Sequence, residues 1–321
     1  MPRTTILALL STLVLAALLP GCINLSAFPP PQIREEIVTH SPRRLERNRV
    51  ALIEVEGFLG WGGGGTKLLG GTGVADVRER LQRAATDERV RAVVLRINSP
   101  GGEVGACDAM HQDVLRFRRT TGKPVVAACV DLAASGGFYV ACACDQIVAA
   151  PTSVIGSVGV VMHLFNAEGL MQKIGLRASV IKSGEMKDIG SPTRTMTPPE
   201  QQVMQGVIDS LFARFQEVVR QGRPAMNDAD VLAISDGRIV TAAEAQRLHM
   251  VDQAGYLDDA LALSMRLAGI KSADVILYRS RGGANSNIYA AYGPGDLLAL
   301  RGLDLLRSQG PGFLYLWAPA P

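Results

Sequence analysis

Two short runs constrain this chain more than anything else in it. Residues 90–98, "VRAVVLRIN", and residues 123–130, "KPVVAACV", are almost unbroken stretches of branched and small apolar side chains. A run without polar alternation offers no face to water, so each predicts a strand buried on both sides, the kind that lies in a parallel sheet covered by helices. The flanking segments agree. "VADVRERLQRAATD" (74–87) and "CDAMHQDVLRFRRTTG" (107–122) carry apolar residues at helical spacing. Further strands are expected at "RVALIEVEGFLGW" (49–61), "QIVAA", "ASVIKS" (178–183) and "ADVILYR". A long helix is expected over 197–222, with Thr197 as its cap and prolines in its first turn. Repeated strand and helix units predict an α/β fold with a largely parallel sheet and a helical C-terminal part to about residue 268.

Both apolar runs end in turns that can carry chemistry. In "INSPGGEV" (97–104) a proline sets a turn and Gly101 and Gly102 leave the backbone bare. Bare N–H groups at a strand's carboxyl end suit a developing oxyanion. In "AASGGFYV" Ser135 follows a strand and opens a helix, which projects its hydroxyl into the crevice where α/β folds bind ligands. The Gly136 N–H is a natural second donor. Together the two turns predict an acyl-transfer site.

The base is less obvious. The histidines are His40, in a proline-rich and charged stretch, His111, on the expected solvated face of a helix, and His163 and His249, which have no orienting carboxylate in a recognisable motif. A lysine can substitute where burial suppresses its charge. "VIKSGEMKDIGSP" (180–192) offers Lys182 and Lys187, and spacing alone does not choose between them.

The N-terminus reads separately from the fold. "ILALLSTLVLAALL" is an apolar stretch of secretory length, followed by "LPGC" at 19–22. That ending reads as a lipobox with Cys22 as the lipidated residue; the alternatives are an ordinary signal peptide or an uncleaved anchor. Acyl chains on Cys22 would place the protein outside the cytoplasmic membrane, on its periplasmic face. Residues 23–48 then read as a tether, 49–268 as the enzymatic domain, and 269–321 as an extension whose last residues, "GPGFLYLWAPAP", pack on a neighbouring subunit or the membrane face.

Composition closes several doors. A net charge of +3 without a basic block argues against nucleic acid as a partner. Cys107, Cys129, Cys142 and Cys144 sit among small apolar residues and read as buried thiols, the last two on a helix. No Cys/His spacing suits a metal, and no cofactor is expected. The glycine loop "GGGGTKLLGGTG" (62–73) lacks the Gly-Lys-Ser/Thr of a phosphate loop and is expected to be a mobile hairpin or lid.

Taken in order, "RINSPGG", "AASGGFYVA", "GSVGV" and "IKSGEMKDIGSPTR", with the later "DGRIVTAAEAQRLHMVDQAG", resemble the signal peptide peptidase A or protease IV family over about residues 50–265. The resemblance implies a crotonase/ClpP-like fold of strand–strand–helix units. It implies Ser135 as nucleophile, Lys187 as general base, Ser157 as the residue that orients the lysine amine, and Gly102 and Gly136 as oxyanion donors, with Gly101 a lesser contributor. It also implies apolar extended peptides such as cleaved signal peptides as substrates. Short members with one set of motifs form homo-oligomeric rings that share each active site between protomers. Two other readings remain: a crotonase-type acyl-transfer enzyme, which an export signal disfavours, and a non-catalytic peptide-binding scaffold.

Overall fold

The computed structural model describes residues 33–42, 47–61, 71–280 and 313–317. The two runs form the central strands. Strand β1 spans Ile33–Thr39, β2 Arg49–Gly60, β3 Thr72–Gly73, β4 Val90–Glu103 and β5 Val125–Ala134. Helix α1 (Val74–Thr86) precedes β4, α2 (Val104–Thr121) follows it, and the six-residue α3 (Gly136–Ala141) follows β5. Next come β6 (Gln146–Ala149), β7 (Val154–Gly156), α4 (Glu168–Lys173), α5 (Pro198–Gly222) and α6 (Asp228–Ala233). The remainder is β8 (Ile239–Thr241), α7 (Ala242–Arg247), β9 (Gln253–Ala254), α8 (Leu257–Leu267), β10 (Asp274–Ser280) and β11 (Leu314–Leu316).

The strands join one sheet in the order β1-β10-β2-β4-β5-β6-β9. All neighbours on that path are parallel except β1 against β10. Alternate residues of β2 and β4 go to opposite faces, as a pleat requires. Ala51, Ile53, Val55, Val93, Leu95 and Ile97 pack with Met110, Phe117 and Phe215 from the helices. Val50, Leu52, Ala92 and Val94 pack instead with Leu257 and Leu261 of α8. Both faces are therefore dry, which is why the runs carry no polar alternation. The one charge deep in β4, Arg96, is 2 % exposed and is met by Glu54 at 2.6 Å and Glu56 at 2.8 Å. A buried ion is tolerated only with such partners.

The crevice arises where β4 and β5 stop pairing regularly. Ile97 faces Cys129, but Ser99 faces Ala133, so β5 carries extra residues over this step. Above the step β5 pairs with β7 (Ala134 opposite Gly156), and β4 keeps β2 on one side (Leu59 opposite Gly102).

Several expectations change. "SPGGEV" is not a simple turn: the chain stays extended to Glu103 because its backbone finds partners on both sides. Residues 33–39 are not tether but a strand beside β10, and their charges, Glu35 and Glu36, mark the sheet's edge. The stretch 178–183 forms no strand and is exposed. Strand β10 belongs to the core rather than to an extension, with Ile276 fully buried. Helix α3 ends at Ala141, so Cys142 caps it and Cys144 lies beyond. Of the expected glycine loop over 62–73, the last residues lead into β3; residues 62–70, like Cys22 and the rest of the N-terminal signal, lie outside the described residues. No described helix is long and apolar enough to cross a membrane.

Candidate active site

Ser135 stands at the junction of β5 and α3 with φ 50° and ψ −114°. A non-glycine residue there is strained and persists only when its surroundings hold it. They do: its N–H donates to the Gly156 carbonyl at 2.7 Å, and its own carbonyl accepts the Tyr139 N–H at 2.9 Å. Its hydroxyl is buried and has no hydrogen-bond partner among the described residues.

The glycine strand presses against this turn. A Cβ added to Gly136 would fall 2.4 Å from Cys107 Sγ, 3.0 Å from Gly101 Cα and 3.1 Å from Gly102 N. The start of α3 can approach β4 so closely only as glycine. Ser99 fixes the other side, donating to the Gly57 carbonyl at 2.6 Å and accepting the Gly101 N–H at 3.1 Å. Gly101 has φ 110° and its N–H is taken by Ser99 Oγ.

Ser157 lies beside Ser135, one residue past Gly156. It too has a positive φ, 53°, and its N–H donates to the Arg238 carbonyl at 2.7 Å. Ser135, Ser157, Gly102 and Gly136 are thus gathered at the carboxyl edge of the sheet.

Lys187 is not gathered with them. It sits on a 3₁₀ turn, Glu185–Asp188, is exposed, and its amine has no hydrogen bond or ion pair among the described residues. Lys182 is occupied, donating to Asp188 Oδ1 at 2.6 Å and to the Glu185 carbonyl at 2.7 Å. Asp188 also receives Arg194 at 2.7 Å and 2.9 Å, and Arg194 reaches Glu200, which caps α5 through the Thr197 N–H at 2.9 Å. These hydrogen bonds from Arg194 and Lys182 hold the Asp188 carboxyl far below its usual range, and Arg194 with the Thr197 N–H brings Glu200 to about 2. The turn that carries Lys187 is therefore moored to the start of α5.

The segment around it is unusually apolar for a surface. Phe165, Leu170, Ile174, Leu176 and Ile181 are all exposed, Ile181 completely, and no residue of α4 is buried.

His111, expected on a solvated face, is buried. Tyr139 covers it edge-on at 5.2 Å, burial lowers its pKa to about 4, and its Nδ1 has no partner. His163 and His249 are exposed. Ser135 thus has no histidine on its hydroxyl. All four described thiols are buried, and burial pushes Cys129 and Cys142 up to about 12, so they are inert. No cluster of His, Cys, Asp or Glu among the described residues could hold a metal ion.

Sequence reasoning missed three residues at this site. Ser99 aims the glycine strand, and its only signal was its place before Pro100. Tyr139 lies one turn past Ser135 and donates to Asp108 Oδ1 at 2.6 Å. Tyr315 belongs to the apolar tail, expected to pack on a neighbour or membrane. Residues 314–316 instead pair antiparallel with β4 of their own chain, Tyr315 opposite Gly102. The alternation in "FLYLW" was the available sign of a strand.

The fold and these turns define an α/β protein with a strained, buried serine beside bare glycine backbone at the edge of a parallel sheet. The model of peptidase family S49 matches residues 117–271, which include Ser135, Ser157 and Lys187. A protease-named protein of Methanocaldococcus jannaschii is 36% identical over 212 residues, 65% of this chain and 67% of that one. The chain belongs to peptidase family S49. A protein of Enterococcus faecium named as signal peptide peptidase SppA is 33% identical over 201 residues, and the chain spans 58% of its length. Among solved structures, a ClpP1 variant from Listeria monocytogenes aligns over 65% of this chain and 94% of its own at 14% identity and a TM-score of 0.42.

Proposed function

We propose that this protein is a serine endopeptidase in which Ser135 is the nucleophile and Lys187, supplied by an adjacent copy of the chain, is the general base. The observation that carries the reading is the Ser135 hydroxyl: strained into position, buried, and without any partner among the described residues. A buried hydroxyl left unmatched is costly unless something completes it. Lys187 has the complementary defect, an exposed amine with no partner among the described residues, on a segment rich in exposed apolar side chains. An exposed apolar surface of this kind marks a protein contact. Docked on a neighbour, the arm would bury the amine, and desolvation would favour its neutral form.

In the assembled site neutral Lys187 takes the Ser135 proton, and the alkoxide attacks a peptide carbonyl. The Gly102 and Gly136 N–H groups stabilise the oxyanion. Lys187 then protonates the leaving amine and activates water for deacylation. Ser157, next to Ser135, accepts a hydrogen bond from the amine and orients it in this reading. Extended apolar peptides, cleaved signal peptides among them, are the proposed substrates, and a lipid on Cys22 is the proposed membrane tether.

The test is complementation. Ser135→Ala and Lys187→Ala protomers should each be inactive, and mixing them should recover part of the activity by forming intact shared sites. Activity in either variant alone would overturn the mechanism, and no recovery on mixing would place the base in the same chain as the nucleophile. Cys22→Ala should move the protein from the membrane to the soluble fraction, with activity on soluble peptides retained.

A further inference from the structure

The described part of the C-terminal region fills the crevice beside Ser135. Strand β11 lies between two partners. On one side it pairs antiparallel with Gly101–Glu103 of β4; on the other Leu314 bridges Val161, with N–H to carbonyl bonds of 3.0 Å in both directions. The Val104 N–H donates to the Phe313 carbonyl at 3.2 Å, and the Trp317 N–H donates to the Pro100 carbonyl at 2.8 Å. By the alternation of an antiparallel ladder, Gly102 and Tyr315 between them form a hydrogen-bonded pair. The Tyr315 carbonyl lies against the glycine turn. A Cβ placed on Gly101 would lie 1.8 Å from that oxygen and 2.7 Å from the Gly136 nitrogen.

The Tyr315 side chain enters a pocket made for a ring. It is fully buried, stacked on Tyr139 at 4.9 Å and tilted against Phe215 at 4.7 Å, and its hydroxyl donates to the Leu211 carbonyl at 2.8 Å. Tyr139 is the fourth residue after Ser135, so the same short helix carries the reactive hydroxyl at one end and a pocket wall one turn on.

We propose that residues 313–317 are a displaceable internal occupant of the peptide-binding groove, and that Tyr139 and Phe215 are its specificity-determining residues, selecting an aromatic side chain on the residue whose carbonyl faces Gly102 and Gly136. Strand addition supplies affinity for any extended peptide, and the pocket supplies selection, as in other edge-strand recognition. The occupant covers the Gly102 N–H, so substrate must displace it before that N–H can serve an oxyanion. The inference rests on the reading of Ser135 as nucleophile only for the meaning of displacement; binding itself is independent of it.

The experiment therefore uses protein that cannot cleave. Ser135→Ala protein ending at residue 312 is titrated with fluorescent peptides of sequence FLYLW and FLDLW. Expected are saturable binding of the first, binding of the second weaker by about tenfold or more because a charge replaces a buried ring, and weaker binding of FLYLW to the full-length Ser135→Ala chain. Equal affinity for the two peptides, or no binding, overturns the pocket. The intact wild-type chain provides a measurement that needs no truncation. Excess FLYLW should speed amide hydrogen exchange at 313–317, and unchanged exchange there would make β11 a permanent strand of the fold. Loss of the peptidase reading, through an active Ser135→Ala variant, would leave both binding results standing.

Discussion

The two halves of the candidate site are built in opposite ways. Ser135, Gly136, Gly102 and Ser157 sit on strand ends that are buried on every side, with backbone hydrogen bonds fixing both serines in strained conformations. Lys187 sits on an arm with no buried residue in its helix and a row of exposed apolar side chains, tied down by one chain of ion pairs. The first half is complete in a single chain, since packing alone creates it. The second half is held by ion pairs to the start of α5 and buries little of its own apolar surface. Under the proposed mechanism, chemistry that needs both would be coupled to the surface on which the arm docks.

The contrast can be broken most severely at Gly136. Gly136→Ala puts a methyl 2.4 Å from Cys107 Sγ in a space bounded by backbone. It should lower kcat/KM by about a hundredfold, the scale expected when a reacting group is misplaced by an ångström, and destabilise the fold by about 1–3 kcal/mol in urea. Gly169→Ala on the arm meets nothing within 4 Å. It should leave stability unchanged or raise it by up to about 1 kcal/mol.

A charge on the arm should separate folding from activity. Ile181→Asp should leave the melting temperature of the dilute monomer within experimental scatter, because Ile181 is fully exposed. It should weaken self-association and reduce activity at fixed protein concentration by about tenfold. Equal loss of monomer stability would mean that the arm packs on its own chain.

Acid should loosen the arm before the nucleophile's half. Asp188 and Glu200 are depressed in the folded state, so their ion pairs stabilise fully above the ordinary carboxylate range and fade as pH falls toward about 2. Amide exchange over 182–200 should accelerate on that descent while β4 and β5 stay protected. Asp188→Asn should bring part of the same loosening to neutral pH. The smallest effect expected is with thiol reagents. With Cys129 and Cys142 raised to about 12 and all four described thiols buried, alkylation at pH 8 should leave activity unchanged.

What could be read from the sequence follows the same division. The central strands were legible because burial on both faces leaves a continuous apolar run, and the Ser135 turn because two glycines after a strand record a close approach. The moored arm was misread. "ASVIKS" has the β-branched alternation of a strand, yet its apolar residues face outward, and composition does not say whether a surface is for a sheet or for a partner. His111 was misread because Tyr139, which covers it, lies 28 residues along the chain and meets it only in the folded state. Strand β11 was read as an appendage because its partner, Gly102, lies more than 200 residues away, and register at that distance is set by the completed crevice rather than by local pattern.

The edge strand β1 carries one more consequence. It runs antiparallel to β10 with Ile33 opposite Ser280, so the chain enters the sheet at the same end as the carboxyl edge that holds Ser135. Under the lipid-anchor proposal, the span from Cys22 to Ile33 sets an upper limit of roughly 40 Å between the lipid and the sheet. A tether joined at that end would hold the mouth of the crevice toward the bilayer, within reach of peptides leaving the lipid. Lengthening it should widen the range of substrates without altering the chemistry.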